Sequence, residues 1–251
     1  MVEPRRLLIL GGTSEAAELA RLLAPLPDFG VITSLAGRTS KPAALPGELR
    51  VGGFGGVEGL CAYLEEAAVD AVVDATHPFA AVMPHNAAAA CTRLKLPRLR
   101  LLRPAWQPVA GDRWTGVPDL AGAARAVGEQ ARRVFLATGR QGIEAFTPLA
   151  TPWFLVRLID RPAEPLPLAR HELVMARGPF PEAEEFDLLR ERRIELLVSK
   201  NSGGKATYGK IAAARRLELP VVLVARPAQP AGDSVPDVAS ARAWVASRRP
   251  L

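Results

Sequence analysis

Short β-rich apolar runs alternate along the first hundred residues with stretches whose leucines and alanines recur at helical spacing. Arg6 to Leu10 reads as a strand ending in Gly11-Gly12, and Ser14 to Leu23 as the helix that follows. Further strands are expected over Phe29 to Leu35, Leu49 to Val51, Ala71 to Asp74 and Arg98 to Leu102, with helices over Val57 to Ala67 and Pro84 to Arg93. Pro84 suits a first helical turn, where its missing N–H costs nothing. Strands and helices in alternation, joined by short loops, imply βαβ units and a parallel sheet covered on both faces.

Arg103 to Pro118 breaks this rhythm with Pro104, Pro108, Gly111, Gly116, Pro118 and two tryptophans, so the connection between domains is placed there. Beyond it, helices are expected over Leu120 to Val127, Glu182 to Arg190, Tyr208 to Leu217 and Val238 to Ser247. Strands are expected over Val134 to Ala137, Trp153 to Leu158, Glu172 to Met175, Glu195 to Val198 and Val221 to Val224. The expected fold class is α/β, with two Rossmann-like parallel-sheet domains, residues 1–110 and 111–251. The active site is expected in the cleft between them, where carboxyl ends of strands face each other.

Nearly half of the residues are hydrophobic, enough for a sizeable core. The longest apolar runs are strand-length and far short of the roughly 20 residues of a membrane helix. The apolar stretch after Arg5 and Arg6 ends at Gly11, too soon for a signal-peptide core, so a cytoplasmic protein is expected. Cys61 and Cys91 form no closely spaced pair and read as buried structural thiols. The net charge of +6 is carried by scattered arginines with no lysine-rich tail, which suits an acidic small molecule at least as well as nucleic acid.

Gly11-Gly12-Thr13-Ser14 lies between the first strand and first helix, where backbone amides and the helix dipole can hold a phosphate. A tight turn with Thr13 or Ser14 as helix cap is the plainer alternative. Where an NAD-binding chain would place an acidic residue after its second strand, this chain has Arg38, which can pair with a 2′-phosphate. NADPH is therefore expected over NADH, against the alternative of a solvated loop arginine. Asp74-Ala75-Thr76-His77-Pro78-Phe79 brings Asp74, Thr76 and His77 to the edge of the sheet, with Thr76 beside the expected cofactor. His77 can donate a proton or fix a carboxylate, or can merely hydrogen-bond its turn. His85 and His171 read as structural or surface residues.

In the second half, Thr138-Gly139-Arg140 and Lys200-Asn201-Ser202-Gly203-Gly204 end two strands with polar, glycine-containing segments. Cations, amides and an anion-binding nest at these positions suit a ligand bearing several carboxylates. Lys200 can alternatively cap a helix or reach solvent. Clustered metal ligands, paired carboxylates and a serine–histidine–acid order do not stand out, so no metal is expected and hydrolytic chemistry ranks low. Tyr63 and Tyr208 are followed four residues later by Ala67 and Ala212, so the Tyr-x-x-x-Lys pair of short-chain dehydrogenases is missing. A non-catalytic nucleotide-sensing module is the rival from another class.

Taken in order, Leu8 to Ala16, Asp74 to Ala80, Thr138 to Arg140 and Ser199 to Gly204 resemble the motif series of precorrin-6A reductases, over about residues 6 to 226. The resemblance implies NADPH-dependent saturation of one carbon–carbon double bond of the precorrin-6A macrocycle, giving precorrin-6B in cobalamin biosynthesis. It implies a tetrapyrrole substrate with several carboxylates, and neither a nucleic-acid nor a membrane partner. Direct hand-over of product to the next enzyme of the pathway is compatible with the composition. On this reading Gly11, Gly12, Thr13, Ser14, Arg38 and Thr76 bind the cofactor. Thr138, Gly139, Arg140, Lys200, Asn201, Ser202, Gly203 and Gly204 orient the substrate. The proton donor is left among His77, Lys200 and a bound water.

Overall fold

The computed structural model describes residues 4–37, 44–128 and 131–247, which divide into two compact units. The first begins with β1 (Arg5–Leu10), α1 (Ser14–Leu23), β2 (Phe29–Leu35), β3 (Glu48–Val51), α2 (Gly56–Glu66), β4 (Ala71–Asp74), α3 (Met83–Leu94) and β5 (Arg98–Leu101). The second holds β6 (Arg113–Val117), α4 (Leu120–Val127), β7 (Arg133–Ala137), a 3-10 turn (Ile143–Phe146), β8 (Trp153–Leu158), β9 (His171–Met175), α5 (Glu182–Glu191), β10 (Leu196–Lys200), α6 (Gly209–Arg216) and β11 (Pro220–Val224). The chain then returns to the first unit with β12 (Ser234–Val235) and α7 (Val238–Ser247).

Each unit contains a six-stranded parallel sheet, ordered β3-β2-β1-β4-β5-β12 in the first and β9-β8-β7-β10-β11-β6 in the second. The expected α/β class with Rossmann-like parallel sheets is thus found. Helices cover both faces, which is why the strands read as unbroken apolar runs rather than alternating ones. In β1, Leu7 and Ile9 pack with Leu19 and Leu23 of α1 and Val238 and Val245 of α7. Leu8 and Leu10 pack on the opposite face with Leu60 and Leu64 of α2 and Ala87 and Cys91 of α3. In the second unit, Phe135, Leu155 and Leu197 pack with Leu189 of α5 and Ile211 of α6.

The domain division departs from the expected 1–110 and 111–251. The second unit spans Pro104–Arg226, and 227–247 belongs to the first. The reason is pairing: Ser234–Val235 adds a parallel strand beside Arg100–Leu101, and Val238, Ala241 and Val245 complete the apolar face over β1. A two-residue strand has too little length to show a period of its own. Arg113–Val117, placed in the connection on sequence, is the edge strand beside β11. Its edge position leaves it little buried, so the apolar signal is weak. Both cysteines are buried and unpaired with each other, as expected. Among the described residues no helix is long and apolar enough to cross a membrane.

Candidate active site

Each sheet reverses its direction of growth at one place. In the first unit β1, β2 and β3 advance one way and β4 and β5 the other; in the second, β7, β8 and β9 advance one way and β10 and β11 the other. Adjacent loops at such a reversal diverge to opposite faces and leave a crevice at the carboxyl ends of the strands. The four sequence motifs follow β1 and β4 in the first unit and β7 and β10 in the second. Every one lies at its own unit's reversal.

Thr13 caps α1: its Oγ1 accepts from Ala16 N at 3.1 Å and donates to the Ala75 carbonyl at 2.7 Å, tying the turn after β1 to the strand end of β4. The side chain of Thr13 is therefore occupied, and what the turn offers a phosphate is backbone N–H and helix dipole. Gly11 is closely packed, since a Cβ there would lie 3.1 Å from Leu35 and 3.3 Å from Thr33. Gly12 adopts φ +104° beneath open space, a backbone cradle that a side chain would fill. Ser14 Oγ donates to Glu15, whose carboxylate is neutralised by Arg103 at 2.8 Å. These features fit a dinucleotide's diphosphate.

Asp74 ends β4 at the carboxyl edge of the sheet, as expected, with its side chain fully buried. Its Oδ1 accepts from Thr76 N (3.1 Å), Thr76 Oγ1 (2.8 Å) and Arg100 Nη1 (2.7 Å). Arg100, 3% exposed, also reaches the Asp74 carbonyl and Thr76 Oγ1. Burial holds the Arg100 guanidinium below its ordinary value, opposed by the Asp74 charge. Among the described residues, Asp74 Oδ2 and Arg100 Nε and Nη2 have no hydrogen-bond partner. The pair fixes the backbone just before His77, which is exposed. The Phe79 N–H donates to His77 Nδ1 at 3.2 Å, so a neutral ring carries its proton on Nε2. His85 and His171 approach the carbonyls of Ala228 and Leu168 and stand apart from these segments in sequence.

In the second unit Thr138 is buried, whereas Gly139 (φ +75°) and Arg140 are exposed after β7. The segment after β10 is tied down closely. Asn201 Oδ1 accepts from Trp106 N at 2.8 Å and Asn201 Nδ2 donates to the Trp106 carbonyl at 3.1 Å. Trp106 Nε1 donates to the Gly204 carbonyl at 2.9 Å. Arg226 donates from Nε to the Asn201 carbonyl (2.9 Å) and from Nη2 to the Ser202 carbonyl (3.1 Å). The Asn201 amide is thus occupied by backbone, and Ser202 is buried. Lys200 ends β10, half-buried.

Arg38 lies outside the described residues. Sequence reasoning singled out neither Arg100 nor Trp106 nor Arg226. An arginine within an apolar strand is a signal that could have found Arg100, since such a charge needs a buried partner. Trp106 and Arg226 lie in loops without periodicity, and only the folded chain brings them to the β10 segment.

The family model described as precorrin-6x reductase CbiJ/CobK matches residues 6–246. The precorrin-6A reductase of Rhodococcus erythropolis is 49% identical over 241 residues, covering 96% of this chain and 97% of that one. That of Mycobacterium tuberculosis is 49% identical over 243 residues, with 96% and 97% covered. The cobalt-precorrin-6A reductase of Priestia megaterium is 29% identical over 234 residues, covering 88% and 90%. Among solved structures, one described as CobK precorrin-6A reductase superimposes with a TM-score of 0.92 at 46% identity, covering 97% of this chain and 96% of the other. With sequence, fold and motif placement in agreement, the chain belongs to the precorrin-6x reductase CbiJ/CobK family.

Proposed function

We propose that in this precorrin-6A reductase the first unit holds NADPH and the second orients the carboxylates of the macrocycle. The observation that carries this reading is the placement of all four motifs at the two sheet reversals. The amides of Gly12, Thr13 and Ser14 at the start of α1 would hold the cofactor's diphosphate, with Thr76 close behind and Arg38 pairing with the 2′-phosphate. When bound, the reduced nicotinamide supplies a hydride.

The chain itself holds the macrocycle in place and supplies the proton. Arg140 and Lys200 provide cations for carboxylates, and the Thr138–Gly139 and Gly203–Gly204 backbones provide amides. Binding a polycarboxylate at several points restricts its rotation, and such positioning supplies much of the rate. His77 is the proposed proton donor because its ring is exposed beside the first unit's reversal; it donates as the imidazolium and is left neutral, with Nδ1 then accepting from Phe79 N–H. One carbon of the double bond gains hydride and the other this proton, so the π bond is replaced by two C–H bonds. Lys200 is the second candidate.

Identities of 47–49% to precorrin-6A reductases, against 28–29% to cobalt-precorrin-6A reductases, favour the metal-free macrocycle as substrate. A cytoplasmic setting accompanies this biosynthetic role. Turnover of His77→Ala and His77→Gln at saturating precorrin-6A tests the donor. Both should fall by about a hundredfold, the scale of general acid catalysis. Undiminished turnover would remove His77 from that role.

A further inference from the structure

The β10 segment is held by two residues that lie outside it and outside every motif of the chain. Trp106 is 8% exposed, with Lys210 Nζ 4.9 Å from its ring centroid and the Tyr208 ring 5.8 Å away. Its backbone N–H and carbonyl pair with the two ends of the Asn201 amide, and its indole N–H takes the Gly204 carbonyl. Arg226 spans the carbonyls of Asn201 and Ser202. Gly203 has φ +67°, and a Cβ there would overlap the Pro104 carbonyl oxygen. The segment has little room to adopt another path.

Fixing carbonyls also fixes amides. In a planar trans peptide the C=O of one residue and the N–H of the next point in opposite directions. With the Ser202 carbonyl on Arg226, the Gly203 N–H is aimed away from it; with the Gly204 carbonyl on Trp106, the Lys205 N–H is aimed away from the indole. Neither amide donates to a described residue. The Ser202 N–H, by contrast, turns back to the Lys200 carbonyl at 2.7 Å.

We propose that Trp106 and Arg226 are positioning residues for substrate capture: they lock the β10 segment so that the Gly203 and Lys205 amides receive one carboxylate of the macrocycle. This rests on the reading that the second unit binds those carboxylates. Two oriented backbone donors recognise a carboxylate at far lower cost when the loop is already ordered than when binding must order it.

The test is steady-state kinetics of Arg226→Met, Arg226→Lys, Trp106→Phe, Arg140→Met and Lys200→Met, with thermal midpoints measured alongside. Arg226→Met should raise KM for precorrin-6A about tenfold or more while KM for NADPH stays within about twofold, since only the carboxylate donors are disordered. Arg226→Lys should recover part of the loss. Trp106→Phe, which keeps the ring but not the donor to Gly204, should raise the same KM about three- to tenfold. If Arg226→Met does not fold, Trp106→Phe decides the matter. Unchanged precorrin-6A KM in the Arg226 and Trp106 variants, with a raised KM in Arg140→Met and Lys200→Met, would overturn the inference and leave the reading of the second unit standing. Unchanged KM in all five variants would overturn that reading, and the inference with it.

Discussion

Among the described residues each unit buries one arginine–carboxylate pair on both sides, and the two pairs differ in completeness and in place. Arg157 of β8 and Glu185 of α5 meet through two parallel bonds of 2.9 and 2.6 Å, with the guanidinium 4.8 Å from the Phe135 ring centroid and 4.1 Å from that of Phe180. This pair joins helix to sheet away from the reversal between β7 and β10. Asp74 and Arg100 meet at the reversal in the first unit, share one guanidinium nitrogen among several acceptors, and leave Asp74 Oδ2 without a partner among the described residues. The Arg157–Glu185 pair engages both carboxylate oxygens, leaves only Arg157 Nε unmet among the described residues, and serves packing. A pair that orders Thr76 and the turn into His77 at the cost of unmet polar atoms points to a functional constraint.

The sharpest test of this contrast is Glu185→Ala. It strands Arg157 inside the second unit and should lower stability by about 3–5 kcal/mol, measured by chemical denaturation. Turnover per folded molecule should stay near normal. Asp74→Asn should lower stability by about 2–3 kcal/mol, because the amide still accepts one bond. It should also lower kcat by about tenfold through the misplaced His77 turn. Comparable kcat losses in both variants would erase the distinction between the pairs.

Two smaller effects sharpen the account of the first unit. Arg38→Met should raise KM for NADPH about tenfold and leave KM for NADH within about twofold, since the contact proposed for Arg38 is to the 2′-phosphate alone. Cys91, packed between α3 and the sheet, has its thiol pushed up to about 11, chiefly by burial. Its folded-state value lies above the unfolded one, so the unfolded chain loses this proton first and stability falls as pH rises through the ordinary thiol range towards 11. The loss should be about 1.4 kcal/mol near pH 10, and Cys91→Ala should flatten that alkaline slope in a denaturation series.

Most of the architecture was legible in the chain. Ser14–Leu23, Phe29–Leu35, Ala71–Asp74, Leu120–Val127, Trp153–Leu158 and Val238–Ser247 have the bounds read from periodicity and turn residues. In these segments local pattern and tertiary burial agree. What escaped was non-local. Ser234–Val235 is a strand only because Arg100–Leu101 lies beside it, and so the closing helix belongs to the first unit. The site divides in the same way. Glycine turns and strand-end polar residues advertise backbone geometry, so Gly12, Gly139 and Gly203 could be picked out directly. The supports behind them could not. Asn201 looks like a ligand-binding amide in sequence but is occupied by the backbone of Trp106, 95 residues away.

The most direct test of NADPH-dependent reduction by this chain is an anaerobic assay of the purified protein with precorrin-6A, following nicotinamide absorbance and the visible bands of the macrocycle, with NADPH and NADH in parallel. NADPH oxidation should be matched one for one by the macrocycle's spectral change, with NADH oxidised far more slowly. Equal rates with both cofactors would contradict the role of Arg38, and no macrocycle change with either would contradict the proposed reduction of metal-free precorrin-6A.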